Sequence, residues 1–257
     1  MNHPIRNIRV YATPEELATA AAEEFFVRAF RARADRQIFS CALSGGSTPA
    51  RLFARMSDSI TLARLPAGFW NSVHFFWGDE RDVPPDHPDS NYRLAREDLF
   101  DKIDIPEENL HPIQAGFNSA STTAISYENE LKRFFGLQAG EIPRLDLIFL
   151  GIGDDGHIAS LFPHSETLKE REHLVAAPWV AKLGAHRITL TLPVINNAAC
   201  ILFLIQGCSK AETLKRVLAS TLQPELLPAQ AIQPTAGELI LLVDKAAASR
   251  LEGVAQN

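Results

Sequence analysis

Short apolar runs rich in β-branched and aromatic residues recur along the chain and alternate with longer segments whose apolar residues are spaced three or four apart. The short runs have the length of strands, and the longer segments have the spacing of amphipathic helices. Such alternation is typical of a doubly wound α/β fold, in which a mostly parallel sheet carries helices on both faces. We expect one such domain over residues 1–257. The predicted strands are "IRVYA", "IFSCALS", "VHFFWGD", "LDLIFLGIG", "ITLTLPVI", "CILFLIQG" and "ELILLVD".

The first long segment, "TPEELATAAAEEFFVRAF", has the signals of a helix start. Thr13 is a suitable N-cap, Pro14 fits the first helical position, and Glu16 completes a capping box. Apolar residues then recur every four positions from Leu17 to Ala29, which predicts one buried face. The segments "TTAISYENELKRFF" and "SKAETLKRVLAS" have the same pattern and predict two further helices.

The composition is that of a globular protein and limits its partners. The chain has 257 residues, of which 46% are hydrophobic, and its formal net charge is -6. A negative protein has no general attraction for nucleic acid, so an anionic ligand needs a few cations placed locally. We expect no membrane span, because no window approaches the roughly 20 apolar residues that one needs. Three cysteines in or beside apolar runs predict reduced, buried thiols and a cytoplasmic protein: Cys41, Cys200 and Cys208.

Polar residues follow four of the predicted strands at the point where each strand ends. "SGGSTP" follows "IFSCAL", "GDERD" follows "VHFFW", "GIGDDGH" follows "LDLIFL", and "GCSK" follows "CILFLIQ". In open parallel α/β sheets, ligands bind beyond the carboxyl ends of the strands. We therefore expect these four loops to meet at one site.

The first of these loops has the composition of a phosphate cradle. Its glycine amides and its hydroxyls are candidate phosphate ligands, and Thr48 is the predicted N-cap of a helix with Pro49 at its first position. The loop has no P-loop lysine, which favours a sugar phosphate over a nucleoside triphosphate. Two alternatives stay open: a simple tight turn, or amides that receive an oxyanion instead of the phosphate. The candidates are Ser44, Gly45, Gly46, Ser47 and Thr48.

The loop "GIGDDGH" has the glycine spacing of a dinucleotide-binding fingerprint, but its other residues argue against a nucleotide. Asp154 and Asp155 would repel a pyrophosphate, and the fingerprint belongs after the first strand rather than after a late one. His157 follows the last glycine and is a candidate general base oriented by Asp155, the alternative being a structural histidine. His164 lies seven residues further on without a metal-binding spacing, so we expect no metal.

Charged residues after two other strands are further candidates for contact with the ligand. Asp79, Glu80 and Arg81 follow "VHFFW", where the alternative is a solvated cluster. Lys210 lies near the start of a predicted helix, a position that is unfavourable for a cation unless it meets an anion. The alternative for Lys210 is a surface lysine that extends into solvent.

Together these segments resemble the 6-phosphogluconolactonase family. "ALSGGSTP", "FFWGDERDVPPDHPDSNY" and "LDLIFLGIGDDGHIASLFPH" are similar to its three signature segments, and "HRITLTLPVINNA" and "GCSKAETL" follow in the same order. "SGGSTP" and "DGH" are shared with glucosamine-6-phosphate deaminases, but those proteins carry Asn-Glu-Pro where this chain has Leu161, Phe162 and Pro163. The resemblance implies a Rossmann-like α/β fold of the glucosamine-6-phosphate isomerase/6-phosphogluconolactonase type.

The same resemblance implies an activity and two groups of site residues. The activity is hydrolysis of 6-phospho-D-glucono-1,5-lactone to 6-phosphogluconate in the oxidative pentose phosphate pathway, without metal or cofactor. Arg187 is implied by the resemblance alone, because it precedes its predicted strand, and the chain departs from the family at Ile158 (more often threonine) and His164 (usually glycine). The reacting lactone is expected near Asp79, Asp155 and His157, and the phosphate near Ser44, Gly45, Gly46, Ser47, Thr48, Arg81, Arg187 and Lys210.

Such a reaction needs a base, oxyanion donors and a group that holds the remote phosphate. We predict that neutral His157, oriented by Asp155, deprotonates water and later returns the proton to the ring oxygen. Direct water attack is preferred over an acyl-enzyme, because the chain has no G-x-S-x-G motif. Three other functions stay open: a deaminase or isomerase of amino-sugar phosphates, a sugar-phosphate-binding regulator, although no basic helix-turn-helix is visible, and a nicotinamide-dependent enzyme. The lactone is the expected partner, for a monomer or a weak homodimer.

Overall fold

The computed structural model describes residues 7–219 and 221–251, and its strands and helices are numbered in chain order. The strands are β1 (Asn7–Tyr11), β2 (Phe39–Leu43), β3 (Val73–Trp77), β4 (Asp79–Arg81), β5 (Leu110–His111), β6 (Leu147–Leu150), β7 (Val175–Ala176), β8 (Trp179–Val180), β9 (Ala185–Leu190), β10 (Cys200–Ile205) and β11 (Glu238–Asp244). The α-helices are α1 (Pro14–Arg36), α2 (Ser47–Met56), α3 (Ser59–Leu62), α4 (Asn91–Asp98), α5 (Ala120–Phe135), α6 (Leu192–Asn196) and α7 (Ala211–Leu218).

A seven-stranded parallel sheet forms the centre of the fold, in the order β1-β11-β10-β6-β2-β3-β5. From β2 the chain proceeds outward through β3 and β5, whereas β6, β10 and β11 proceed outward on the other side. The direction therefore reverses between β2 and β6. Ligands of doubly wound sheets bind at such a switch point, beyond the carboxyl ends of its strands. The doubly wound, mostly parallel α/β sheet predicted from the sequence is confirmed.

Helix α1 packs on this sheet as its sequence predicts. The Thr13 hydroxyl caps it by accepting the Glu16 N–H at 3.1 Å, and the helix buries a face that includes Leu17 and Phe25. The Phe25 ring stacks on Phe75 of β3 with a centroid separation of 5.7 Å. In the part of the chain that the structure describes, no helix is both long and apolar enough to cross a membrane.

A second, antiparallel sheet corrects one of the strand predictions. Strand β9 pairs in antiparallel direction with β4, β7 and β8, so the run "ITLTLPVI" does not join the central sheet, and its last part begins α6. The turn 181–184 that joins β8 to β9 is short and allows only an antiparallel pair. A connection between parallel strands would need a crossover of a dozen residues or more. Hydrophobic spacing alone does not distinguish these two directions.

Helix α2 begins earlier than the sequence suggests. Its N-cap is Gly46 and its first residue is Ser47, so the predictions of Thr48 as N-cap and Pro49 as first helical residue are wrong. Gly46 has a φ of 104°, a left-handed conformation that other residues rarely adopt, and it turns the chain into the helix before Thr48 is reached.

The three cysteines differ in burial. Cys41 and Cys200 are buried free thiols, as predicted, but Cys208 is exposed. The prediction is wrong for Cys208 because this residue lies in the turn after β10, beyond the apolar run that led us to expect burial.

Candidate active site

A cleft of about 370 Å³ opens where β2 and β6 end. Gly46, Ser47 and Thr48 are not among the described residues that line it. Asp155 does not line the cleft either, but it bonds directly to His157. The other predicted site residues line it: Ser44, Gly45, Asp79, Arg81, His157, Arg187 and Lys210.

His157 is held in one orientation by its own loop. Its Nδ1–H donates to Asp155 Oδ1 at 2.5 Å, and its backbone N–H donates to the same oxygen at 3.2 Å. The Phe162 ring stacks on the imidazole with a centroid separation of 4.3 Å. Since Nδ1 carries the donated proton, Nε2 is the nitrogen that can accept one, and it has no hydrogen-bond partner among the described residues.

The glycines of this loop make room for the histidine. A Cβ on Gly153 would lie 2.0 Å from His157 Nδ1 and 2.1 Å from its Cε1, distances that real Cβ atoms do not show. Gly156 has a φ of 82°, which turns the chain just before His157. Of the glycines that resemble a dinucleotide fingerprint, Gly153 is therefore the one that makes room for the imidazole.

Lysines from two other segments neutralise the two carboxylates of the loop. Lys182 Nζ donates to Asp155 Oδ2 at 2.6 Å, and Lys210 Nζ donates to Asp154 Oδ1 at 2.6 Å. Burial opposes the ionisation of Asp155, but its hydrogen bonds with Lys182 and His157 outweigh burial and hold the pKa of Asp155 well below its ordinary value. Asp155 is therefore a carboxylate at any physiological pH.

Two arginines face each other across the second sheet. Arg81 of β4 and Arg187 of β9 are directly paired positions. Burial, and then the charge of Arg81, hold the pKa of Arg187 below its ordinary value. Among the described residues, the Arg187 guanidinium makes no hydrogen bond or ion pair, whereas Arg81 donates to the Asp89 carbonyl. The pair is a cationic wall with donors available to an anion.

Asp79 and Glu80 are buried, so the interpretation of this segment as a solvated cluster is wrong for both. Asp79 Oδ2 accepts a hydrogen bond from Ser160 Oγ at 2.6 Å. Glu80 is 2% exposed and accepts backbone N–H groups from Asn91 and Tyr92, each at 2.8 Å. Burial raises the pKa of Glu80 despite these bonds. Glu80 holds the start of α4 against β4, and Asp79 faces the cleft.

The glycine loop after β2 contributes a narrower surface than predicted. A Cβ on Gly45 would lie 1.7 Å from Asn91 Oδ1, so only glycine allows this approach. The Ser44 hydroxyl and Asn91 Oδ1 are buried atoms without a hydrogen-bond partner among the described residues, and both side chains belong to the cleft. These atoms, together with the Gly45 amide, are suited to bind a polar ligand.

The sequence did not indicate several residues that line the cleft. Asn91 ends the Pro/Asp-rich segment 82–91, which gave no sign of burial, and Ser160 lies three residues beyond His157 in a segment without a helix or strand pattern. Lys182 lies in the turn between β8 and β9, two strands that the sequence did not reveal as a hairpin. The stack of Phe162 on His157 was also not foreseen.

His164 lies outside the cleft, and its backbone explains the glycine that is usual there in the resembling family. Its φ is 60°, in the left-handed region, and its N–H donates to the Glu225 carbonyl at 2.8 Å. His164 therefore does not line the site, although the chain departs from the resembling family there. In the described ranges, no group of three His, Cys, Asp or Glu residues is arranged to hold a metal ion.

The chain is similar to known proteins in sequence and in fold. A family profile described as glucosamine-6-phosphate isomerases/6-phosphogluconolactonase matches residues 12–241. The chain is 44% identical over 224 residues to the 6-phosphogluconolactonase of Synechocystis sp., which covers 87% of this chain and 89% of that relative. It is 38% identical over 251 residues to the 6-phosphogluconolactonase of Homo sapiens, with 95% and 93% covered. The solved structure of a 6-phosphogluconolactonase from Trypanosoma brucei superposes with a TM-score of 0.83 at 29% identity, with 96% and 98% covered.

Proposed function

Because the chain belongs to the family of glucosamine-6-phosphate isomerases and 6-phosphogluconolactonases, we propose that it hydrolyses 6-phospho-D-glucono-1,5-lactone to 6-phosphogluconate, a step of the oxidative pentose phosphate pathway. The observation that carries the proposal is that an oriented imidazole and a pair of arginines line the same cleft. His157 lies on the loop after β6, and Arg81 and Arg187 lie on the paired strands β4 and β9. The imidazole suits proton transfer from water, and the arginines suit a phosphate.

Three cations bind the substrate phosphate in this proposal. Arg81 and Arg187 offer guanidinium donors from directly paired positions, a geometry that suits two phosphate oxygens. Lys210 adds a third charge. Its ammonium is bonded to Asp154, whose side chain is 72% exposed, and an exposed carboxylate is a weak competitor for a phosphate dianion.

His157 acts as the general base on water. Its Nε2 takes a proton while the water oxygen attacks the lactone carbonyl, and Asp155 stabilises the imidazolium that results. The tetrahedral intermediate then breaks its bond to the ring oxygen, which receives the proton back from His157. The products are the free acid and the hydroxyl of the opened chain, so one water molecule is consumed and no cofactor is needed.

A serine nucleophile has no support in this geometry. Within the described residues, no hydroxyl hydrogen-bonds to His157, and Ser160 is bonded to Asp79 instead. The Ser44 hydroxyl is buried and has no hydrogen-bond partner, and so no hydrogen-bonded base, among the described residues. Water attack therefore remains the preferred route over an acyl-enzyme.

Asp79 orients the sugar ring in this proposal. Ser160 fixes one of its carboxylate oxygens at 2.6 Å, and the other has no hydrogen-bond partner among the described residues. A carboxylate held in this way accepts hydrogen bonds from sugar hydroxyls.

A deaminase of glucosamine 6-phosphate is the second candidate, because the same family description includes such isomerases. Where the deaminases carry the glutamate of their Asn-Glu-Pro segment, this chain has Phe162. The Phe162 ring stacks on His157 with a centroid separation of 4.3 Å. Phenylalanine offers no proton for ring opening, and this observation favours the lactonase.

One comparison of activities tests the proposal. Freshly prepared 6-phosphogluconolactone is mixed with the protein, acid release is followed at constant pH, and the spontaneous hydrolysis is subtracted. Ammonia release from glucosamine 6-phosphate is measured in parallel. We expect acid release well above background and no ammonia. Ammonia release without acid release would establish the deaminase instead.

We also propose a cytoplasmic location and a monomer or weak homodimer. The free, buried thiols of Cys41 and Cys200 support a reducing compartment. Cell fractionation and sedimentation at several concentrations test the two statements.

A further inference from the structure

Lys182 enters the cleft from the hairpin that joins β8 to β9. Two backbone hydrogen bonds close its turn, from Leu183 N–H to the Val180 carbonyl at 2.9 Å and from Gly184 N–H to the Ala181 carbonyl at 3.2 Å. From this turn the Lys182 ammonium reaches Asp155 Oδ2 at 2.6 Å. The side chain thus crosses from the second sheet to the loop that carries the histidine.

Lys182, Asp155 and His157 form a continuous chain of hydrogen bonds. One carboxylate oxygen of Asp155 receives the imidazole N–H at 2.5 Å, and the other receives the ammonium at 2.6 Å. With a partner on each oxygen, the carboxylate cannot rotate without breaking a charge-assisted bond. The ammonium also offsets part of the negative charge that would otherwise favour a protonated imidazole.

We propose that Lys182 is a positioning residue for the general base: its ammonium fixes the Asp155 carboxylate, and through it the orientation and the proton affinity of His157. The inference rests on the proposed function only in assigning His157 to catalysis.

The other charged groups of the cleft either have a different hydrogen-bond partner or lie on strands β4 and β9. Asp154 is bonded to Lys210 at 2.6 Å, and Asp79 is bonded to Ser160. Arg81 and Arg187 lie on the second sheet. Lys182 is therefore the cation in direct contact with the carboxylate that holds the imidazole, and its removal changes the local charge at that point.

The first experiment needs no substrate. The imidazole signals of the protein are followed by NMR during a pH titration, and the His157 signal, one of eight histidines, is assigned by its absence from His157→Gln. We expect Lys182→Met to move the His157 titration midpoint upward by roughly 0.5 to 1 pH unit, because an unshielded carboxylate favours the protonated ring. Lys182→Arg keeps the charge and should retain the original midpoint.

Lys169→Met is a matched control. Its side chain is 62% exposed, the same fraction as that of Lys182, and it is also paired with a carboxylate, Glu166, at 3.2 Å. It lies outside the cleft, so the His157 midpoint and the activity should not change. An unchanged His157 midpoint in Lys182→Met would overturn the proposal whatever the activity assays show.

The second experiment is kinetic. The acid limb of kcat should move to higher pH in Lys182→Met by the same amount as the NMR midpoint, with KM for the phosphorylated lactone nearly unchanged. A raised KM for the phosphorylated lactone with an unmoved acid limb would make Lys182 a phosphate ligand and overturn the positioning role. If the NMR midpoint moves but the unaltered protein hydrolyses no lactone, the positioning role stands and the proposed function fails.

Discussion

Arg81 and Arg187 are directly paired across the antiparallel strands β4 and β9. Like charges in directly opposed positions destabilise a sheet, and the partial burial of Arg187 adds to this effect. A phosphate that accepts hydrogen bonds from both guanidinium groups relieves the repulsion. In the proposed function the two arginines would therefore be in place before the phosphate binds, which lowers the free energy needed to organise the site.

The arginine pair and Lys210 should discriminate between substrates that differ only in the phosphate. Hydrogen bonds to charged groups contribute about 1.5 to 3 kcal/mol each, so Arg187→Ala or Lys210→Ala should lower kcat/KM for the phosphorylated lactone by roughly 10-fold to 100-fold. Unphosphorylated gluconolactone should hardly be affected. The measurement is kcat/KM of each variant on both lactones, after subtraction of spontaneous hydrolysis.

Arg250→Ala is the control for a change of surface charge. Arg250 is 62% exposed and pairs with Glu212, away from the cleft. A surface effect would be small, equal for both lactones and weaker at high salt. Equal losses on both substrates for Arg187→Ala and Lys210→Ala would remove both cations from the phosphate site.

The histidine prediction concerns turnover and its pH dependence. His157→Ala should lose roughly 100-fold to 10,000-fold in kcat, because a general base contributes about that much. Activity of the unaltered protein should fall as pH is lowered, because a protonated imidazole cannot accept a proton from water. Asp155→Asn should also lose activity while it keeps the fold, since the amide cannot stabilise an imidazolium as a carboxylate does. Near-full turnover in folded His157→Ala would exclude the histidine from the mechanism.

Gly153→Ala should inactivate the protein through geometry alone. The new Cβ would lie 2.0 Å from His157 Nδ1 and 2.8 Å from Asp155 Oδ1, so the imidazole must leave its position. Gly151→Ala is a control on the same loop, because a Cβ there meets nothing within 4 Å. We expect kcat to fall by at least about 100-fold for Gly153→Ala and far less for Gly151→Ala, with both folded by circular dichroism. Similar activities for the two variants would show that the loop adapts.

The polar loops of the site were predictable from the sequence because each follows a buried strand of a parallel sheet. The period and length of such strands are visible in the apolar runs, and the carboxyl ends of the strands share one edge. Ser44, Asp79, His157 and Lys210 all lie in one cleft for this reason. The role of Gly153 was not predictable, because the same glycine spacing also occurs in dinucleotide-binding loops.

Residues of β9 and of the turn before it could not be predicted in the same way. Arg187 was identified only through a resemblance, because the run after it gives no sign that β9 is antiparallel to β4. In the antiparallel pair, the first part of β9 lies beside the end of β4, so Arg187 lies opposite Arg81. Lys182 occupies a turn whose side-chain direction depends on that same pairing.

Two histidines far from the cleft should make stability depend on pH. His74 Nδ1 lies 3.1 Å from His111 Nε2, and His111 Nδ1 lies 2.7 Å from Glu130 Oε1. With Glu130 as the acceptor, His111 donates through Nδ1 and accepts from His74 through Nε2, so the His111 ring is neutral. A further proton on His111 Nε2 would place two N–H groups opposite each other. Burial, and then the charge of His111, lower the pKa of His74 to about 4.

The sign of the effect follows from proton binding. The unfolded chain has an ordinary imidazole of pKa ~6.5, so it binds more protons than the folded protein between about pH 6.5 and the folded value. Stability is therefore full above this range and falls as pH is lowered through it, by roughly 1 to 2 kcal/mol after allowance for the partial exposure of the ring. The melting temperature should decrease by a few degrees over this interval.

His74→Gln tests this dependence without removing the hydrogen bond, because the glutamine amide can donate to His111 and does not titrate. Melting temperatures are measured between pH 7.5 and 5 for the variant and for the unaltered protein. The variant should lose less stability as the pH falls. His87→Gln is the control, since that ring is 44% exposed and lies on a loop. Parallel pH curves for His74→Gln and the unaltered protein would show that the His74–His111 pair does not govern the acid sensitivity of the fold.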